Sequence, residues 1–145
     1  MDQHVLVPLD GSKPSWEALD HAAANADGDR ITVLHVVDPA EGVYAGSEGG
    51  YYDTEAFDRA RERGENLCEQ ARERLRDNGT LDRIELDTAV ETGKAARTIV
   101  AYATDHDIDH VVIGSHGRDG VSRILLGSVA ETVVRRSPCP VTVVR

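Results

Sequence analysis

The chain reads as an α/β protein built on a five-stranded, mostly parallel sheet with helices on both faces. Apolar runs of strand length alternate with longer segments of helical period. The first two runs are apolar on nearly every residue, as strands covered on both sides must be. No repeat, low-complexity tract or second domain interrupts the pattern, so residues 1–145 are expected to form one domain.

The first strand is Val5 to Leu9. Ser12 and Pro14, a capping residue followed by a helix-start proline, open a helix whose apolar stripe is Trp16, Leu19, Ala23 and Ala26. Ile31 to Val37 is the second strand. The clearest helix follows, with Ala56, Ala60, Gly64, Leu67, Ala71 and Leu75 recurring every three or four residues, Arg and Glu on the opposite face, and Asn78-Gly79 at its end. Ile84 to Val90 is a weaker, more alternating strand and belongs nearer an edge. Thr92 can cap a third helix carrying Ala96, Ile99, Val100 and Ala103, which leads to a fourth strand ending at Gly114. Ser128-Val-Ala-Glu131 reads as a capping box opening the last helix, Ser137-Pro-Cys-Pro140 stops it, and Val141 to Val144 is the fifth strand.

One connection is too long for a compact link. Asp38 to Asp53 holds four glycines and Tyr44, Tyr51 and Tyr52 without clear period. Loops of that length are surface excursions or lids over ligands, and both readings stay open.

Composition narrows the function. The net charge of −10 argues against nonspecific nucleic-acid binding, which needs clustered Lys and Arg. The charge is uneven: five arginines against Asp119 and Glu131 give residues 114–145 a charge of +3, leaving −13 for residues 1–113. An anionic ligand would favour the C-terminal third. Only Lys13 and Lys94 among 16 basic residues are lysine, against 26 acidic ones, a balance that suggests a halophilic setting in which salt screens self-repulsion. No apolar run approaches the ~18 residues of a membrane span, and the start lacks a secretion signal, so a cytoplasmic location is expected. Cys68 and Cys139 stand apart, with no CxxC spacing or nearby histidine, and read as reduced thiols rather than as disulfide or zinc ligands.

In open parallel sheets ligands bind beyond the C-terminal ends of the strands, where strand order switches. Two strand ends carry suitable residues: Pro8-Leu9-Asp10-Gly11-Ser12 after the first strand, and Gly114 to Ser128 after the fourth. In the second, Gly114, Gly117, Gly120 and Gly127 let backbone N–H groups approach phosphate oxygens, and the helix that follows favours an anion at its start. His116, Arg118 and Arg123 add donors and positive charge, with Arg118 ranked above His116 and Arg123 read as a surface charge. Duller readings stand beside these. Ser128 can be a cap alone, Gly114 and Gly117 can serve a tight turn, and Asp10 can cap a helix or hold its loop. There is no Walker loop, GxGxxG, GxSxG or HExxH, and Asp10 lacks the acidic companions and late lysine of a receiver domain.

Gly114-x2-Gly117-x9-Gly127-Ser128 resembles the nucleotide signature of ATP-binding universal stress proteins. The opening Val5-Leu-Val-Pro-Leu-Asp10-Gly11-Ser12 and the closing Cys-Pro-Val-Thr-Val-Val resemble that family's two ends, in family order. The resemblance implies an adenine nucleotide alpha hydrolase-like three-layer sandwich with strand order 3-2-1-4-5. It implies Asp10 at the nucleoside, backbone around Val37 at the adenine, and the glycine signature with Ser128 and Val129 at the phosphates of ATP; Mg²⁺ can come with the phosphates, since it commonly keeps its waters and uses substrate oxygens. It also implies a symmetric homodimer through strand five, at Val141 and Val143, and a role in regulation or stress tolerance. No residue stands out as a catalytic base, so ATP hydrolysis would be slow at most. The rival is a nucleotide-free protein-interaction module of the same fold.

Overall fold

The computed structural model describes residues 2–42, 54–116 and 126–145. Five parallel strands, β1 (His4–Pro8), β2 (Arg30–Val37), β3 (Glu85–Thr92), β4 (His110–Gly114) and β5 (Val141–Val144), lie in the order β3-β2-β1-β4-β5. Four helices connect them: α1 (Lys13–Asn25), α2 (Thr54–Asp77), α3 (Ala95–Asp105) and α4 (Ser128–Arg136). The strand order and the layers agree with those implied by the sequence.

The period-two alternation of the strands divides the core. Val5, Val7, Ile31, Val33 and Val112 face one way and meet Ala18, Leu19, Ala22, Ala71 and Leu75 of α1 and α2. Leu6, Leu34, Val111 and Ile113 face the other way and meet Ile99, Ala103, Ala130 and Val133 of α3 and α4. Cys68 lies in the first layer, 5% exposed, and burial pushes its thiol up to about 11, which leaves it protonated and unreactive at neutral pH.

Helix ends follow the expected chemistry in part. Ser12 caps α1 by accepting the Ser15 N–H at 3.3 Å, with Pro14 in the first turn. α2 stops at Asp77; Gly79 beyond it sits at φ 81°, the left-handed region open to glycine. Two expected caps are replaced. Thr92 is the last residue of β3, because that strand pairs with β2 along all eight of its residues, and Lys94 takes the N-cap of α3 without a side-chain bond. Gly127, not Ser128, is the N-cap of α4, so the Ser128–Glu131 box does not form and Ser128 becomes the first helical residue.

Candidate functional site

Pro8 opens the crevice. Leu9 N–H reaches the Leu34 carbonyl at 2.9 Å, so the backbone groups of residues 5, 7 and 9 face β2 and those of residues 4, 6 and 8 face β4. Pro8 has no N–H to give to β4. The β1–β4 ladder accordingly stops at Leu6↔Val111, whereas β1 pairs with β2 through Pro8↔Leu34. The two central strands part at the switch in strand order.

Beyond Pro8 the chain turns at once. Leu9 is buried, Gly11 sits at φ 86°, and one carboxylate oxygen of Asp10 accepts the Ser12 N–H at 2.9 Å. Ser12 is 8% exposed and held twice more: its hydroxyl accepts from the Ser15 amide, and its carbonyl accepts the Ser15 hydroxyl at 2.8 Å. Asp10, half-buried, thus shapes its loop with Oδ1 and keeps Oδ2 for another partner; no hydrogen bond to that oxygen is found among the described residues.

The end of β2 places the unpaired backbone one residue earlier than the sequence suggests. Val37 is fully buried and its carbonyl accepts the Gly93 N–H at 3.0 Å. Alternation turns the N–H and C=O of Val36 toward the side that β1 has left. The ladder's next rung, from Val36 N–H to the Leu9 carbonyl, is not made among the described residues. The Leu9 carbonyl instead lies 2.8 Å from Nδ1 of His35, and since a carbonyl only accepts, Nδ1 carries the proton.

Beyond β4, the chain leaves and returns to the same point. Gly127 N–H donates to the Ser115 carbonyl at 2.7 Å, pinching off residues 116–126. A Cβ at Gly127 would come within 3.1 Å of the His116 Cα, so glycine stands here for a close chain crossing, with an ordinary φ of −66°. Gly114 serves neither a left-handed turn nor an open surface. A Cβ there would lie 2.8 Å from the Pro14 carbonyl carbon and 2.9 Å from the Ser15 nitrogen, so glycine lets α1 pack onto β4. The Ser115 hydroxyl and His116 Nδ1 are 3.2 Å apart. Gly117, Arg118, Gly120 and Arg123, like Tyr44, Tyr51 and Tyr52, lie outside the described residues.

α4 therefore begins without a side-chain cap. The Glu131 N–H makes the first helical bond, to Gly127 at 2.9 Å, which leaves the amides of Ser128, Val129 and Ala130 without helical partners. The Ser128 side chain is exposed and makes no hydrogen bond among the described residues. Amides unpaired among the described residues, a hydroxyl and the positive end of a nine-residue helix are groups that can hold a phosphate. Glu131, in the first turn, is paired with Arg135 at 3.0 Å.

Sequence reasoning missed His35 and Val36. The signal for the first was a histidine inside the apolar run of β2, opposite the only glycine in the α2 stripe. For the second there was none, because which backbone groups go unpaired depends on where the neighbouring strand stops. Two grooves among the described residues lie elsewhere. One, of about 480 Å³, surrounds His4, Arg30 and Arg83 at the N-terminal ends of the strands. The other, of about 660 Å³, runs beside α3 from Asp38 and Lys94 to His106. Neither includes Asp10, Val36 or Ser128. No three histidine, cysteine or carboxylate side chains gather as a metal site among the described residues. No helix among them is long and apolar enough to cross a membrane.

Residues 1–145 match the family model of the Universal stress protein family. The chain belongs to this family. It is 32% identical to universal stress protein MJ0531 of Methanocaldococcus jannaschii, over 97% of this chain and 81% of that protein. It is 30% identical to universal stress protein YxiE of Bacillus subtilis over the full length of both. Among solved universal stress protein structures and their kin, MJ0577 superimposes with a TM-score of 0.81 at 30% identity, covering 98% of this chain and 94% of that one. The same fold appears in a universal stress protein solved in complex with cAMP, at TM-score 0.69 and 23% identity over 99% and 96% of the two chains. It appears again in an Arabidopsis thaliana family protein with AMP bound, at TM-score 0.67 and 20% identity over 98% and 90%.

Proposed function

We propose that the protein binds an adenine nucleotide, ATP in the first instance, across the C-terminal ends of β1, β2 and β4, and that it serves regulation or stress tolerance in the cytoplasm. The observation that carries this is the set of unpaired groups at those strand ends. Val36 offers an N–H beside a C=O, which matches the edge of adenine, where N1 accepts and the 6-amino group donates. The uncapped start of α4 offers amides and the Ser128 hydroxyl to phosphates. Asp10 has one carboxylate oxygen left for the sugar hydroxyls. Complexes of the same fold with AMP and cAMP support the ligand class.

Gly117 and Arg118 would complete the phosphate contacts, and Mg²⁺ would ride on phosphate oxygens and water. Slow hydrolysis would need a base at the γ-phosphate. Asp10, the carboxylate at this end of β1, accepts the Ser12 amide with one oxygen and is assigned to the sugar with the other.

Denaturing the purified protein and running the extract on an anion exchanger should release ATP or AMP in stoichiometric amount, and calorimetry with Mg-ATP should give heat on the stripped protein. Asp10→Ala and Ser128→Ala should each weaken binding by about tenfold, the loss expected for one hydrogen bond to a charged group. A stripped, folded protein that gives no heat with Mg-ATP and releases no nucleotide would instead be an interaction module.

A further inference from the structure

We propose that His35 is a positioning residue for adenine: by holding the Leu9 carbonyl it keeps Val36 N–H out of the sheet and available to the base. The inference rests on the nucleotide reading above and adds a residue that touches no ligand. In a parallel ladder the Leu9 carbonyl would accept from Val36 N–H, one rung beyond the Leu9 to Leu34 bond. His35 takes that acceptor first, at 2.8 Å.

The geometry around the ring is built for this. His35 points to the α1 and α2 face of the sheet, opposite the face of Leu34 and Val36, and is 7% exposed. α2 makes room for it with Gly64, where a Cβ would come within 2.4 Å of the ring's Cδ2. A histidine in a β-strand would ordinarily be a poor choice for a core position. Here the ring bends back to a carbonyl of the neighbouring strand, and that carbonyl belongs to the residue just before Asp10. One contact therefore does two things: it ends the β1–β2 ladder a rung early, and it anchors the loop that carries Asp10.

The consequence is base discrimination. With Val36 N–H and C=O both free, adenine finds a donor for N1 and an acceptor for its amino group. Hypoxanthine presents N1–H and a 6-oxo group, so donor meets donor and acceptor meets acceptor. Removing the imidazole lets Val36 N–H close onto Leu9, which takes the donor from the base while leaving the start of α4 and its phosphate contacts in place.

The test compares the parent with His35→Leu and His35→Asn, whose side-chain amide nitrogen stands in for Nδ1. Hydrogen exchange by NMR on the nucleotide-free proteins should find the Val36 amide unprotected in the parent and in His35→Asn, and protected in His35→Leu. Calorimetry should find ATP preferred to ITP by the parent, the preference shrinking about tenfold in His35→Leu and returning in His35→Asn. A protected Val36 amide in the nucleotide-free parent overturns the proposal whatever the variants do, including a His35→Leu that fails to fold. So does a folded His35→Leu with parental exchange at Val36 and a parental ATP to ITP ratio. If the parent binds neither nucleotide, the function proposed above fails, and the exchange comparison still decides whether His35 controls the rung.

Discussion

Glycine and serine at the end of β4 and the start of α4 carry distinct loads that a motif cannot separate. A Cβ at Gly114 would come within 2.8 to 2.9 Å of backbone atoms of α1, which cannot swing aside as a side-chain tip would. Gly114→Ala should therefore cost about 1–3 kcal/mol in urea unfolding, as overpacking does, with no ligand present. Ser128 is exposed and caps nothing among the described residues. Ser128→Ala should leave the unfolding midpoint within about 0.5 kcal/mol of the parent, the usual range for surface changes, so its loss of nucleotide affinity reports on binding alone. A cap lost with that substitution would appear as roughly 1 kcal/mol. Gly127 is a poorer probe than its place in the signature suggests, because a larger side chain there meets His116 and disturbs the closure of the loop along with any phosphate contact.

At the scale of elements, α1 and α2 are tied by Arg74, whose guanidinium donates to both carboxylate oxygens of Asp20 at 2.7 Å and lies 5.3 Å from the Trp16 ring centroid. The pair is about half exposed, so its contribution is modest, and α2 is held chiefly by burying Ala71 and Leu75 in the core layer that it shares with α1 and the sheet. α3 is the helix with room for improvement. Lys94 at its N-cap makes no capping bond, and its amine lies 3.5 Å from Asp38 in an exposed pair worth little. Lys94→Ser should raise stability by about 0.5–1 kcal/mol by supplying a hydroxyl to the first turn. Thermal unfolding of the single variant checks this; an unchanged or lowered midpoint would mean that the ion pair outweighs the cap.

For the whole molecule, β5 is one of the two edges of the sheet, and no strand among the described residues pairs with its outer side. The Pro140 and Val144 carbonyls accept from Val111 of β4 and from Ser115 just beyond it, so the backbone groups of Val141 and Val143 face outward. Unprotected edges pair, and a homodimer through this edge follows as a proposal in the two-fold form that gives each copy the same contact. Val143→Pro removes an outward N–H without taking a rung from the β4 ladder, and proline is tolerated on edges. Light scattering at micromolar concentration in high salt should show a dimer for the parent and a shift toward monomer for the variant. A parent that is already monomeric there removes the edge from consideration. High salt matters because the net charge of −10 sets two copies against each other.

The alternation of apolar runs with helical stripes determined the layers, since a face that must be buried admits few arrangements. The order 3-2-1-4-5 was implied by the likeness of the two ends and the glycine signature to a family, because period alone does not say which strands are neighbours. Asp10 and Ser128 were legible as site candidates from their places at a strand end and a helix start. Tertiary structure decided the rest. Whether Ser128 caps α4 depends on where the helix starts, and the Gly127 bond to Ser115 fixes that start across residues far apart in the loop. Gly114 is glycine on account of Pro14, a hundred residues away in sequence. Among the described residues Val36 rather than Val37 offers unpaired backbone, because Val37 is paired on the β3 side, the chain leaves β2 after Leu9, and the Leu9 carbonyl lies against His35. Unpaired hydrogen-bonding groups are a property of which strand ends first, and only the packed sheet contains that information.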